Sequence, residues 1–161
     1  MIFVTVGTDQ PFDRMMKVVD AWAAECGRTD LFAQIGDGGW EPKSIPFTRF
    51  LNPVEFKERF VAARLIISHA GMGTILSALH HGKPILVMPK KASLGEHRNE
   101  HQLATAHHMM RSAGVNVAFD EMELRERLDH LDSLVPSTRI GSHASDSLIQ
   151  GLRNFIHSAS L

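Results

Sequence analysis

The fold of this chain is decided by residues 65–75, which read Leu65-Ile66-Ile67-Ser68-His69-Ala70-Gly71-Met72-Gly73-Thr74-Ile75. The apolar run before Ser68 is typical of a buried strand, and the two glycines that follow it predict a tight turn. Apolar residues then recur at helical spacing from Ile75 to Leu79. The stretch therefore predicts a strand, a glycine-rich turn and a helix that begins directly after the turn.

A turn of this kind is a candidate anion site. The free backbone N–H groups at a helix N-terminus and the positive end of the helix dipole both favour a negatively charged ligand. Glycine lets a phosphate approach the backbone closely. Thr74 can add a hydroxyl, and His69 can add an N–H or, when protonated, a charge. The segment lacks the third glycine of the dinucleotide fingerprint and the Gly-Lys-Ser/Thr of a P-loop, so a purely structural turn stays an alternative.

Composition excludes several classes of protein. A length of 161 residues predicts one domain over residues 1–161, and fractions of 43% hydrophobic and 22% charged residues are typical of a globular protein. The net charge of −1 offers no basic footprint for nucleic acid. The single cysteine, Cys26, cannot form an internal disulfide, which favours a reducing compartment. Because we find no signal peptide and no apolar run of membrane-spanning length, we expect a cytoplasmic protein.

Strand-like and helix-like segments alternate along the chain. Strands are predicted over 2–6, 31–35, 47–51, 65–68, 85–88 and 115–118, and the main helices lie between or after them. Asn52-Pro53 is typical of an N-cap followed by proline at the first helical position. The alternation predicts an α/β fold with a Rossmann-like parallel sheet and helices on both faces. Ligands bind beyond the carboxyl ends of such strands, so Gly7-Thr8, residues 69–74 and residues 89–102 should lie along one edge.

The segment from Pro89 to Gln102 supports two interpretations. Its lysines and Arg98 suit phosphates, whereas Glu100, His101 and Gln102 offer the mixed donors and acceptors that sugar hydroxyls need. The alternative is a zinc-dependent hydrolase. His97-Arg98-Asn99-Glu100-His101 fits the H-x-x-E-H pattern, in which two histidines on one helix face chelate zinc and the glutamate is the general base. A helix is predicted over residues 98–112, with Leu103, Ala106, Met110 and Ala113 on its apolar face.

Three motifs then occur in a specific order. They read His69-Ala-Gly-Met-Gly-Thr-Ile, Gly82-Lys-Pro-Ile-Leu-Val-Met-Pro and Asn99-Glu-His-Gln-Leu, with Val6-Gly7-Thr8 before them. Together they resemble the C-terminal, donor-binding domain of GT-B glycosyltransferases, in the group of the peptidoglycan lipid-intermediate GlcNAc transferase. The chain looks most like short stand-alone versions of that domain. These are the small subunit of the dolichol-linked GlcNAc transferase and bacterial exopolysaccharide glycosyltransferase subunits.

The resemblance, taken with the chemistry of the side chains, implies a site for a UDP-sugar. Its predicted residues are Gly7, Thr8, Leu51, His69, Gly71, Met72, Gly73, Thr74, Glu100, His101 and Gln102. By resemblance, residues 71–74 would cradle the diphosphate with His69 beside them, and His101 and Gln102 would read the donor sugar. Ser77 stands where relatives often carry a glutamate that binds the ribose hydroxyls.

The resemblance also implies a function for a single half of a GT-B fold. The chain would be the donor-binding subunit of a two-component inverting glycosyltransferase. It would transfer a sugar from a UDP-sugar to a polyprenyl-diphosphate-linked acceptor in exopolysaccharide or glycan biosynthesis, with no cofactor and no essential metal. The catalytic base and the lipid-linked acceptor would belong to a membrane-anchored partner, which would hold the chain peripherally at the membrane. The alternatives are the zinc hydrolase and a non-catalytic nucleotide-binding module.

Overall fold

A parallel sheet forms the centre of the fold in the computed structural model, which describes residues 1–134 and 146–158. Its strands are β1 (Ile2–Thr5), β2 (Leu31–Gln34), β3 (Phe47–Thr48), β4 (Leu65–His69), β5 (Ile85–Met88) and β6 (Asn116–Val117). The helices are α1 (Asp13–Glu25), α2 (Pro53–Ala62), α3 (Met72–His80), α4 (His101–Ala113), α5 (Glu121–Asp129) and α6 (Asp146–Ser158).

The strand order is β3-β2-β1-β4-β5-β6, and every pairing is parallel. The order reverses between β1 and β4, whose register places Thr5 opposite Ser68. The carboxyl ends of these two strands therefore lie side by side at the point where such sheets form a ligand crevice. This arrangement confirms the prediction of a Rossmann-like α/β fold.

Both faces of the sheet are buried. On β1, Ile2 and Val4 belong to the core layer under α1 and α5, whereas Phe3 points to the opposite layer under α2, α3 and α4. The period of two along a strand produces this division. Phe3 packs edge-on against Phe56 of α2, with ring centroids 5.4 Å apart. The helices thus cover both faces, as the alternating pattern predicts.

The start of α2 follows the local sequence closely. Asn52 is its N-cap and accepts hydrogen bonds from the backbone N–H groups of Val54 and Glu55. The Glu55 side chain accepts in return from the Asn52 N–H, which completes a capping box with Pro53 in the first turn. The predicted third strand is too long, because the hydrogen-bonded ladder to β2 covers only Phe47–Thr48.

The predicted boundaries and apolar face of α4 are wrong by a few residues. The helix begins at His101, after a single 3-10 turn over Ala92–Leu94 and a run of bends. Its buried face carries Gln102, Thr105, Ala106, Met109 and Ala113. Met110 is 40% exposed, so the face is turned by about one residue from the prediction. The face is turned because Gln102 takes a buried position, where its Oε1 accepts a hydrogen bond from the Lys90 N–H.

The last helix, α6, lies against the domain through the side chains that the structure describes. Phe155 stacks on His108 of α4 with ring centroids 5.5 Å apart, and Leu152 packs against the core layer of α4. The helical spacing of the sequence predicts an apolar face made of Leu148, Leu152, Phe155 and Ile156, and of these the side chains of Leu148 and Ile156 lie outside the described residues. At least part of that face is therefore used within the domain.

Candidate functional site

A cleft of about 490 Å³ opens over the switch point between β1 and β4. Its volume lies in the range of about 300–1,000 Å³ that small-molecule sites occupy. Its lining residues are Thr5, Val6, Gly7, Thr8, Asp9, Gln34, Leu51, Pro53, Phe56, His69, Gly71, Gly73, Thr74, Lys90, His97 and Gln102. The loops after β1, β4 and β5 all contribute, as expected for the carboxyl edge of a parallel sheet.

Most of the predicted site residues lie on this cleft, but three do not. Met72 packs towards the core layer of α3, Glu100 accepts a hydrogen bond from the Ser93 N–H, and His101 is exposed at the start of α4. The predicted residues that do line the cleft are Gly7, Thr8, Leu51, His69, Gly71, Gly73, Thr74 and Gln102. Ligand contact by any of them stays a prediction.

The imidazole of His69 is enclosed between two glycines. A Cβ added at Gly7 would lie 2.7 Å from His69 Cε1, and one added at Gly71 would lie 2.2 Å from His69 Nε2. Neither position can therefore hold a side chain while the ring stays in place. Gly7 has the further requirement of a φ of 82°, which favours glycine. Gly7 and Gly71 are thus restricted to glycine by the same contact, because the His69 ring fills the space that a side chain at either position would need.

The His69 ring is neutral near pH 7. Burial lowers its pKa to about 4, and the nearby charge of Lys90 acts in the same direction, while a hydrogen bond to the backbone of Thr5 opposes them. Its Nδ1 lies 3.2 Å from the Ser68 hydroxyl oxygen. His69 can therefore form a hydrogen bond with a ligand in the cleft. The positive charge that a protonated His69 would add is absent near pH 7.

The N-terminus of α3 faces the same cleft. Its N-cap is Gly71, with a φ of −83°, and no side chain of the described residues caps this helix end. Gly73 lies in the first turn, and an added Cβ there would meet no heavy atom within 4 Å. The first N–H groups of a helix need partners from outside the helix. The turn therefore leaves backbone donors and open space for an anionic ligand.

Two buried polar side chains on the cleft are not among the predicted site residues, although the lysines of the segment from Pro89 to Gln102 are expected to suit phosphates. Gln34, at the end of β2, is 2% exposed, and its Oε1 has no hydrogen-bond partner among the described residues. Lys90, two residues after β5, is 1% exposed although its sequence context is a polar loop. A signal for Gln34 existed in the sequence, because it lies at the end of a strand that the apolar run predicts, whereas the burial of Lys90 has no such local signal.

An ion pair fastens the loop between β5 and α4. Arg14 of α1 donates to both carboxylate oxygens of Glu96, at 2.8 and 2.9 Å, and to the Pro89 carbonyl at 3.1 Å. The Arg14 and Glu96 side chains are only 10% and 11% exposed. Glu96 also accepts from the Lys91 N–H. The loop that carries Lys90 and His97 is thereby held against α1.

The geometry does not support the zinc alternative. His97 and Glu100 lie in bends before α4, so the two histidines of the H-x-x-E-H segment do not share a helix face. His97 Nδ1 instead lies 3.2 Å from the Asn99 side-chain oxygen. Within residues 1–134 and 146–158, no group of three or more His, Cys, Asp or Glu side chains is placed to hold a metal ion.

Comparison with known proteins agrees with the fold and the motifs. The glycosyltransferase family 28 C-terminal domain matches residues 1–139. The UDP-N-acetylglucosamine transferase subunit ALG13 of Homo sapiens is 34% identical over 109 residues, which are 62% of this chain and 10% of that protein. ALG13 of Mus musculus is likewise 34% identical, over 61% of this chain and 9% of its own. The chain thus spans about a tenth of the length of these curated relatives.

Solved structures show the same fold at low identity. The solution structure of ALG13 has a TM-score of 0.57 at 21% identity, covering 84% of this chain and 87% of that one. MurG of Acinetobacter baumannii has a TM-score of 0.58 at 14% identity, covering 81% of this chain and 41% of the other. Among the described helices, none is long and apolar enough to cross a bilayer. From its matched domain, this chain belongs to glycosyltransferase family 28 and has the fold of one half of a GT-B enzyme.

Proposed function

We propose that this chain is the donor-binding subunit of a two-component glycosyltransferase that uses a UDP-sugar. The observation that carries the proposal is the open, uncapped N-terminus of α3 beside His69, on a cleft at the switch point of the sheet. A helix N-terminus at this place binds anions through its N–H groups and its dipole. A nucleoside diphosphate is the anion that a family 28 donor domain suggests.

The proposed reaction is an inverting transfer in which UDP leaves from the anomeric carbon of the sugar. Negative charge develops on the leaving diphosphate as that bond breaks. Preorganised N–H donors that are already directed at this charge stabilise the transition state without reorganisation. The N–H groups of residues 72–74 and the neutral His69 ring supply such donors in this chain. We propose that the acceptor is a polyprenyl-diphosphate-linked sugar.

A second chain is part of the proposal. The described residues form one Rossmann-like half, and the cleft lies at its open edge. The relatives that match in sequence are called transferase subunits, and the chain resembles only a tenth of their length. We propose that a membrane-anchored partner supplies the acceptor half and the catalytic base, and that the chain is cytoplasmic and held at the membrane by that partner.

Binding tests the donor site first. Calorimetric titration with uridine, UMP and UDP should show affinity that rises with each phosphate, because the phosphates meet the N-terminus of α3. Equal affinity for uridine and UDP would contradict the diphosphate assignment. Binding of ADP as tight as that of UDP would contradict the uridine assignment but keep an anion site.

Activity then separates the transferase from a non-catalytic nucleotide-binding module. The purified chain alone, and the chain co-purified with membranes that contain its partner, are given a radiolabelled UDP-sugar and a lipid-linked acceptor. We expect turnover only in the second case. Robust turnover by the chain alone would refute the two-component arrangement. UDP binding without transfer in either case would favour the binding module.

A further inference from the structure

Lys90 is an unusual residue on the cleft wall, because a charged side chain occupies a position that is 1% exposed. The strand β5 ends at Met88, and the chain continues through Pro89 into Lys90. The Lys90 backbone N–H is tied to Gln102 Oε1 at 3.1 Å, so the residue is fixed at both its backbone and its side chain. Lysines are almost never fully buried unless they are paired.

The pairing of this ammonium is incomplete. Nζ donates to the Gln10 carbonyl and lies 5.7 Å from the centroid of the Phe12 ring. No carboxylate of the described residues lies within ion-pair distance, since Asp9 and Glu96 act on it only through space. An ammonium has three N–H donors, and those beyond the Gln10 contact find no acceptor among the described side chains and carbonyls. Burial accordingly lowers the pKa of Lys90 to about 8.

A buried charge without a matching anion is destabilising, and an anion that arrives from outside the chain would offset that cost. The cleft offers the route, because Lys90 lines it together with His69, Gly71 and Gly73. The other candidate for positive charge at this place, His69, is neutral near pH 7. Within the described cleft lining, which also includes Asp9, Lys90 is the one lysine or arginine side chain.

We propose that the Lys90 ammonium is the counter-charge of the cleft, and that it neutralises the diphosphate of the nucleotide bound at the N-terminus of α3. This inference rests on the proposed function, because it assigns a charge partner to the same ligand. The ammonium takes the part that a divalent cation has in metal-dependent phosphate chemistry. Its role is strongest when negative charge grows on the leaving UDP.

The test compares Lys90→Met with Lys91→Met. Both variants lose one positive charge, but Lys91 does not line the cleft, and it is its backbone that bonds to Leu94 and Glu96. Methionine keeps the length of the lysine side chain without its charge. Calorimetry should show at least a tenfold loss of UDP affinity in Lys90→Met, about 1.4 kcal/mol, and little change in Lys91→Met. Uridine, which has no phosphate, should bind Lys90→Met as it binds the unmodified chain.

The pH dependence gives a second measurement on the unmodified chain. The Lys90 ammonium loses its proton as pH rises through its pKa, and a bound anion raises that pKa further. UDP affinity should therefore fall between about pH 8 and about pH 10 in the unmodified chain, and Lys91→Met, which keeps Lys90, should show the same fall. The titratable groups that act on Lys90 are Asp9 and Glu96, Lys90 in turn acts on His69, and His97 lines the same cleft. Lys90→Arg, which keeps its charge over this range, should remove the fall.

The outcomes separate this inference from the proposed function. If the unmodified chain binds no UDP, the proposed function fails and the Lys90 assignment fails with it. If the unmodified chain binds UDP and Lys90→Met binds it within about twofold of Lys91→Met, the counter-charge assignment is overturned while the donor site stands. Should Lys90→Met not fold, a UDP affinity that is flat across the alkaline range in the unmodified chain would overturn the assignment instead.

Discussion

Gly73 offers a direct test of the anion site, because it can be changed without disturbing the fold. It lies in the first turn of α3 on the cleft, and a Cβ built there would meet no heavy atom within 4 Å. Its φ is not positive, so a side chain brings no backbone strain. Alanine in place of a helical glycine stabilises a helix by about 0.5–1 kcal/mol. Aspartate in a first turn adds a favourable interaction with the helix dipole of about 0.3–1 kcal/mol.

Gly73→Asp should therefore fold at least as stably as the unmodified chain and still lose UDP binding. Its carboxylate would occupy the space that the diphosphate needs and would compete for the same backbone N–H groups. Two unit charges about 4 Å apart repel by about 4 kcal/mol at an effective dielectric constant of about 20. Allowing for screening by salt, we expect a loss of at least about a hundredfold in affinity.

Gly73→Ala is the matched control, because it adds the same Cβ without the charge. Calorimetric titration with UDP measures the affinity of both variants, and thermal unfolding shows that both are folded. The aspartate variant should have a melting temperature no lower than that of the unmodified chain. A UDP affinity in Gly73→Asp within about threefold of that in Gly73→Ala would refute the placement of the diphosphate at this turn.

The remaining predictions concern the parts that hold the cleft in shape. Gly71→Ala would place a Cβ 2.2 Å from His69 Nε2, so we expect the ring to move, unfolding free energy to fall by about 1–3 kcal/mol and UDP affinity to drop, as calorimetry and urea unfolding would show. An unchanged melting temperature would contradict that packing. Arg14→Met would leave the buried Glu96 carboxylate unpaired, and we expect a loss of about 3 kcal/mol by urea unfolding. Adding Glu96→Gln to Arg14→Met should restore part of the lost unfolding free energy. A double variant that is no more stable than Arg14→Met would contradict the ion-pair explanation.

The sequence predicts the architecture well because the signals are local. The strand at Leu65–His69 begins with a continuous apolar run over residues 65–67, and the glycines after the strand mark the turn. Strand and helix signals that alternate leave few ways to arrange a sheet, and right-handed crossover connections restrict them further. The N-cap at Asn52 is equally local, because the capping box needs only Asn52, Pro53 and Glu55.

The features that the sequence does not predict depend on contacts between distant residues. Asp20 lies on the apolar side of α1 and is 5% exposed, because its carboxylate accepts from the backbone N–H groups of Lys43, Ser44 and Ile45. Nothing near Asp20 in the sequence signals those partners. The path of the loop before α4 depends on a similarly distant contact. Glu96, in the loop before this helix, is paired with Arg14 across a separation of 82 residues.

Lys90 illustrates the same limit within the site. In sequence it belongs to a polar loop with Lys91, and the two residues are chemically equivalent. In the structure Lys90 is buried against Gln10 and Phe12. Lys91 is half-buried and does not line the cleft. The difference comes from the residues that follow β1, about eighty positions earlier, and not from the loop itself.

His69 joins the two halves of the cleft into one packing unit. Its ring fills the space between the loop after β1 and the loop after β4, and the close approach of both glycines to that ring fixes the distance between the loops. The Val6-Gly7-Thr8 segment and the glycine turn at residues 71–73 are therefore not independent motifs, since a side chain at either glycine would displace the same imidazole. Because the ring is neutral, this packing adds no charge to the cleft. The shape of the anion site and its charge consequently come from different residues, and substitutions can alter one without the other.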